Sequence, residues 1–135
     1  MKPSEFAKIT TLGARKPKKP TKKPKPASLG ESTFLLHLKS YKLEHLFERE
    51  HRFHEVRGWR FDYACAQHRI AVEIEGGTKW GNSRHSKGAG FIGDCDKYNT
   101  ATMMGWEIYR FSTEMVLDAT AIDFIRDLLK FRGIT

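Results

Sequence analysis

Residues 60–77 read RFDYACAQHRIAVEIEGG and contain two runs with the composition of buried β-strands. In the first run the period is two, which predicts a half-buried strand with Phe61 and Tyr63 on one side. The second run, Ile70–Glu75, is also typical of a strand, although its side chains alternate only in part. Together the runs predict a β-hairpin whose loop is residues 66–69.

The hairpin register brings carboxylates together. If Asp62 pairs with Glu73, then Arg60 stands opposite Glu75 on the same face of the sheet. The other face is then apolar, with Phe61 opposite Ile74 and Tyr63 opposite Val72. Like charges that face each other across two strands cost stability unless they share a proton or a cation.

A divalent cation removes that cost, and hard cations such as Mg²⁺ prefer carboxylate oxygens and retained water. The alternative is that Glu73 and Glu75 only face water on an exposed side of the sheet, with Arg60 paired to one of them. The spacing of the residues leaves these alternatives open.

The chain has 135 residues, which predicts one domain preceded by a basic tail. Residues 1–28 hold nine of the 24 Lys and Arg residues and one of the 16 acids, so residues 29–135 are formally neutral. Because the tail is rich in lysine and proline, we expect it to be disordered or extended. It is either a solvated linker or a source of attraction to phosphates, and we predict DNA contacts by Lys18, Lys19, Lys22 and Lys23.

Other sequence features bear on the cellular location of the protein, the oxidation state of its cysteines and zinc binding. The sequence has no signal core and no run of 18 or more apolar residues, so we expect no membrane partner and a bacterial or phage-infected cytoplasm. The two cysteines, Cys65 and Cys95, are expected to be reduced. Cys65 with His68 and His51 with His54 form the only zinc-like spacings, and neither has a partner pair at zinc-finger spacing.

The remaining segments predict an α/β order of helix, strand, strand, helix, strand, helix. Apolar residues from Phe34 to Leu43 fit a first helix that starts near Ser28 or Ser32. Residues 76–90 are rich in Gly, Ser and Asn and predict a long mobile loop. The further predicted elements are a helix in residues 94–105, a strand in residues 106–111, and a final amphipathic helix capped by Ser112 or Thr113 that continues to Leu129.

Asp62, followed ten residues later by Glu73-Ile74-Glu75, resembles the PD-(D/E)XK nuclease signature. Glu75 stands where that signature usually has lysine. The blocks WRFDYA, AVEIEGG, RHSKGAGF, DCDKYN and GWEIYRF are similar to small phage and bacterial endonucleases of the very-short-patch-repair and Holliday-junction-resolving branches. The resemblance covers residues 29–131 and matches Glu31 to a glutamate of the first helix. A favourable charge at a helix N-terminus is the alternative explanation of Glu31.

The resemblance implies a restriction-endonuclease-like fold, a mixed central β-sheet flanked by helices. It also implies a Mg²⁺-dependent DNA endonuclease, with Mn²⁺ as a substitute, that works in DNA repair or recombination on junctions or branched DNA. The metal would be held by Asp62, Glu73, the backbone carbonyl of Ile74 and Glu31.

Further roles complete the predicted site. Glu75 would orient or deprotonate the attacking water, and Lys97 would replace the usual lysine, unless it is an ordinary solvated lysine. Phosphate contacts are predicted on the mobile loop, at Lys79, Arg84, His85 and Lys87.

Two other functions compete with this hypothesis. One is a non-catalytic nucleic-acid-binding protein on the same fold, and the other is an RNA-directed nuclease. The sequence leaves open the preferred DNA structure, nicking as opposed to double-strand cutting, and pairing as a homodimer.

Overall fold

The computed structural model describes residues 26–76 and 88–135. They form an α/β fold with a four-stranded mixed sheet flanked by helices, as predicted. The strands are β1 (Glu48–Arg52), β2 (Arg60–Cys65), β3 (Ile70–Glu75) and β4 (Glu107–Ser112). The helices are α1 (Leu29–Ser40), α2 (Gly88–Met103), α3 (Thr113–Leu117) and α4 (Thr120–Phe131), with 3₁₀ turns at Glu44–Leu46 and Ala66–His68.

The sheet has the strand order β1-β2-β3-β4. β2 and β3 form the predicted antiparallel hairpin, with Tyr63 opposite Val72 and Cys65 opposite Ile70. β4 runs parallel to β3 and follows α2, because parallel neighbours need a crossover connection. This arrangement confirms the mixed sheet and the predicted register from Tyr63 to Cys65. The predicted pairs of Asp62 with Glu73, Phe61 with Ile74 and Arg60 with Glu75 are not among the regular pairs of the two strands.

Strand β1 was missing from the predicted order. Its sequence, EREHR, has no apolar alternation, and within residues 26–76 and 88–135 it lies at the edge of the sheet and pairs with β2. Polar residues are common on such edge strands because they discourage pairing with other chains. The predicted order therefore lacked one strand, and this strand carries Glu50.

Apolar cores lie on both faces of the sheet, so the predicted placement of Phe61 and Tyr63 on one side was wrong. Tyr63 packs in a core with α1, α3 and α4, whereas Phe61 packs in a second core with Ala101 of α2. The strand itself is confirmed, and Arg60 and Asp62 in it are only partly buried. Residues 49 and 51 of β1 pair with residues 63 and 61, and Glu50 between them has a left-handed φ of 55°.

The helix boundaries also differ from the prediction. α2 begins at Gly88, so the end of the predicted loop is helical, and its residues 77–87 lie outside the described residues. The predicted final helix is two helices, because Ala119 takes a left-handed φ of 70° and Asp118 accepts a hydrogen bond from the Thr120 N–H. Ser112 is the predicted N-cap, and its side chain accepts from the Met115 N–H.

The start of the folded domain is fixed by Ser28 and Gly30. The Ser28 side chain accepts a hydrogen bond from the Glu31 N–H and caps α1. Gly30 is buried against β3, where a Cβ would stand 2.8 Å from Ile74 Cγ2. The predicted boundary after residue 28 therefore divides this cap. None of the helices in the described part of the chain has the length and apolar character needed to cross a bilayer.

Candidate active site

An open cleft of about 620 Å³ is lined by the N-terminus of α1, by residues of all four strands and by the middle of α2. Its lining is strongly charged. The acidic residues in it are Glu31, Glu50, Asp62, Glu73, Glu75 and Asp94, and the basic residues are Arg60, Lys97 and Arg110. The residues predicted as a carboxylate constellation are thus gathered in one place, with Glu50 in addition.

Three of these carboxylates converge. One oxygen each of Glu31, Glu50 and Asp62 lies within 4.8 Å of the other two, and all three residues are half-buried. They come from three different elements, α1, β1 and β2. Such a group of oxygens beside an open cleft is the donor set that a hard divalent cation prefers.

Glu31 is positioned by local packing. The close approach of Gly30 to Ile74 brings the first turn of α1 against β3. Tyr63 then donates a hydrogen bond from its hydroxyl to the Glu31 backbone carbonyl at 2.8 Å. The Arg49 guanidinium lies 3.5 Å from a Glu31 carboxylate oxygen and 3.8 Å from one of Glu50, which offsets part of the negative charge.

Asp62 and Glu73 exchange hydrogen bonds with the backbones of the facing strands. The Ile74 N–H donates to Asp62 Oδ2 at 2.8 Å, and the Asp62 N–H donates to Glu73 Oε2 at 3.3 Å. These carboxylates thus accept from backbone groups beyond the last regular pair, Tyr63 and Val72. Burial, followed by the charge of Glu73, raises the pKa of Asp62 to about 8. Burial and the neighbouring carboxylates thus both disfavour ionised Asp62.

Glu73 is the most buried of the cleft carboxylates, with 5% of its surface exposed. Its Oε1 lies 2.5 Å from the Lys97 ammonium and accepts a hydrogen bond from the Tyr98 hydroxyl at 3.3 Å. Burial and the nearby Glu73 charge raise the pKa of Tyr98, so the hydroxyl keeps its proton. Both oxygens of Glu73 are therefore engaged by groups of the protein.

Glu75 lies one step further along β3 and pairs with Arg110 of β4. Arg110 Nε donates to Glu75 Oε1 at 2.7 Å, and Arg110 Nη2 contacts the same oxygen. The side chain of Glu75 is one-third exposed, at 33%. Ile74 also lines the cleft, and its N–H is the group that binds Asp62.

The predicted DNA contacts lie outside the described residues. They are Lys18, Lys19, Lys22 and Lys23 of the tail and Lys79, Arg84, His85 and Lys87 of the predicted loop.

Sequence reasoning missed Glu50, Tyr98 and Arg110. Glu50 was missed because β1 was not predicted. Its place in the site depends on its own backbone conformation, which the sequence does not indicate. Arg110 was accessible in principle, because a parallel β4 beside β3 places it opposite Glu73 and next to Glu75.

The comparisons with known proteins agree with this architecture. No family model and no curated protein matches the chain. Among solved structures, the chain is similar to the catalytic domain of the homing endonuclease I-Bth0305I, with a TM-score of 0.57 and 15% identity. The match covers 81% of this chain and 100% of that domain. The chain has the fold of a nuclease catalytic domain. Membership in the PD-(D/E)XK superfamily and in its named branches stays a prediction.

Proposed function

We propose that the protein is a Mg²⁺-dependent endonuclease that hydrolyses phosphodiester bonds of DNA. The observation that carries the proposal is the convergence of Glu31, Glu50 and Asp62 in an open cleft. The nuclease-type fold supports it, since the cleft lies in a domain of that architecture.

The residues present fit a hard cation. Three carboxylate oxygens lie within 4.8 Å of one another, and burial together with the charge of Glu73 raises the pKa of Asp62. We therefore assign Glu31, Glu50 and Asp62 as the metal ligands. Bound there, Mg²⁺ would neutralise charge on the scissile phosphate and lower the pKa of the attacking water.

Glu73 has a different part in this proposal from the one its motif suggests. Its oxygens are engaged by Lys97, Tyr98 and the Asp62 N–H, so we propose that it anchors Lys97 at the cleft and holds Asp62 in place. The Lys97 side chain is only 17% exposed and lines the cleft. A cation there stabilises the negative charge that builds up on a phosphate during the reaction. Direct metal binding by Glu73 and by the Ile74 carbonyl stays a prediction.

Glu75 is proposed to orient the attacking water and accept its proton. The contacts with Arg110 engage Glu75 Oε1, and the Glu75 side chain lines the cleft. Arg110 fixes the carboxylate and keeps its charge compensated. A carboxylate in this position acts as a general base when it reaches the water within hydrogen-bond distance.

The test is a cleavage assay with the purified chain on linear duplex, single-stranded DNA, a four-way junction, a mismatched duplex and RNA. Each substrate is incubated with Mg²⁺, with Mn²⁺ and with chelator. We expect chelator-sensitive cutting of DNA, and loss of cutting in Asp62→Asn while DNA binding is kept. Full activity of Asp62→Asn would overturn the site. Binding of all substrates without cutting would favour a non-catalytic protein, and cutting of RNA alone would favour an RNA-directed nuclease.

A further inference from the structure

The loop between β1 and β2 carries a stack of aromatic rings that ends in an arginine. The Phe53 ring lies 4.2 Å from the Phe61 ring at an interplanar angle of 8°, and 6.1 Å from the Trp59 ring at 16°. The Arg57 guanidinium lies 4.1 Å from the centre of the Trp59 ring. Arg57 is thus held at the end of a stack that begins in the buried core.

The backbone of the same loop is fixed by two side chains. Nδ1 of the buried His54 accepts hydrogen bonds from the Val56 N–H at 3.1 Å and the Arg57 N–H at 2.9 Å. The Arg52 guanidinium donates to the carbonyls of Arg57 and Glu55, each at 3.4 Å. These contacts fix the backbone at Arg57 and therefore where its side chain begins.

The loop between β1 and β2 adjoins the cleft. Gly58 and Arg60 line the cleft, and β2 continues from them to Asp62. Asp62 is five positions after Arg57 in the sequence, a span of at most roughly 18 Å for an extended chain. Phosphates of one DNA strand follow each other every ~3.4 Å along the helix axis, so Arg57 is within about five phosphates of the carboxylates.

The charges around the cleft indicate which kind of group Arg57 binds. The cleft is rich in carboxylates that repel a polyanion, so productive binding needs cations beside it. Lys97 and Arg110 are paired with Glu73 and Glu75. Within the described part of the chain, no carboxylate forms an ion pair with Arg57, and a stacked guanidinium keeps planar N–H donors that match the geometry of a phosphate.

We propose that Arg57, presented on Trp59 by the β1–β2 loop, binds a backbone phosphate of the DNA beside the scissile bond. This inference rests on the proposed function, since it takes DNA as the substrate. Arg57 is a positioning residue that fixes the register of the strand in the cleft and carries no part of the chemistry.

The test is DNA binding by the full chain in chelator, where no cleavage occurs, over a range of salt concentrations. Arg57→Gln should reduce the slope of log affinity against log salt by about 0.9, the value for one lost phosphate contact on duplex DNA. Arg57→Lys should keep the slope near that of the wild type, because it keeps the charge.

Arg126→Gln is the matched control. Arg126 also stacks on an aromatic ring, at 3.8 Å from the centre of Tyr41, but it lines a separate pocket away from the cleft. Its removal should leave the slope unchanged. If the slope is equal in the wild type and in Arg57→Gln, and thermal melting shows that both proteins are folded, this inference is overturned and the proposed function is not. Absence of DNA binding by the wild type would overturn the proposed function and this inference with it.

Discussion

Gly30 is the residue on which the position of Glu31 depends most directly. A Cβ at Gly30 would stand 2.8 Å from Ile74 Cγ2 and 3.2 Å from Thr113 Oγ1, closer than packed atoms tolerate. Gly30→Ala should therefore push α1 away from β3 and move Glu31. We expect a loss of about 1–3 kcal/mol in the free energy of unfolding, measured by urea denaturation, together with a higher Mg²⁺ concentration for half-maximal cleavage.

Gly93→Ala is the matched control for that substitution. Gly93 lies within α2, and a Cβ there meets no atom within 4 Å. Alanine is the better helix former, so this variant should gain up to about 1 kcal/mol in stability. Equal stability of Gly30→Ala and the wild type would show that the contact between α1 and β3 is not tight.

The carboxylates of the hairpin could be predicted because their placement depends on local rules. A hairpin with a short loop fixes its register, and Tyr63 opposite Val72 then brings Asp62 near Glu73. Glu50 could not be predicted in this way. Its place depends on an edge strand without apolar alternation and on a left-handed backbone that only tertiary contacts impose.

At the scale of elements, the β1–β2 loop should respond to pH through His54. Burial, with the charges of Arg57 and Arg52, lowers the pKa of His54 below 6.5, while Glu55 opposes them. The folded state therefore favours the neutral ring, whose Nδ1 accepts two backbone hydrogen bonds. This contribution is present above pH 6.5 and is lost as the pH falls through the depressed pKa, because the unfolded chain then binds the proton more readily.

The measurement compares unfolding free energies of wild type and His54→Asn near pH 7.5 and pH 5.5. Asparagine keeps an acceptor but does not titrate, so the advantage of the wild type should shrink at the lower pH, by at most about 1.4 kcal/mol per pH unit. His68→Gln, at an exposed residue, should keep the wild-type dependence. An advantage that is the same at both pH values would contradict the account of the loop.

Elements with strong patterns were predicted and those set by packing were not. The β2–β3 hairpin, β4 and the Ser112 cap follow from alternation and capping residues. The burial of both sheet faces depends on α2, whose contact through Ala101 has no signature in the strand sequences. The break before α4 depends on a left-handed Ala119, and alanine gives no sequence signal for that conformation.

At the scale of the whole molecule, charge is divided between two regions. The nine basic residues of the predicted tail all precede residue 26, and the rest of the chain is formally neutral. Ser28 belongs to the folded domain, because it caps α1 and its hydroxyl donates to Glu31 Oε1 at 3.3 Å. A neutral domain with an acidic cleft depends on cations beside that cleft to bind DNA, which is the part proposed for Arg57 and predicted for the tail.

The central claim is that Glu31, Glu50 and Asp62 together bind one divalent cation, and calorimetric titration of the DNA-free chain with Mn²⁺ tests it most directly. We predict one site in the wild type and at least about tenfold weaker binding in Glu50→Gln. Glu114→Gln, at an exposed acid on α3, should bind as the wild type does. Unchanged affinity in Glu50→Gln, with binding lost in Glu73→Gln, would contradict the claim and return the site to the ligands of the sequence motif.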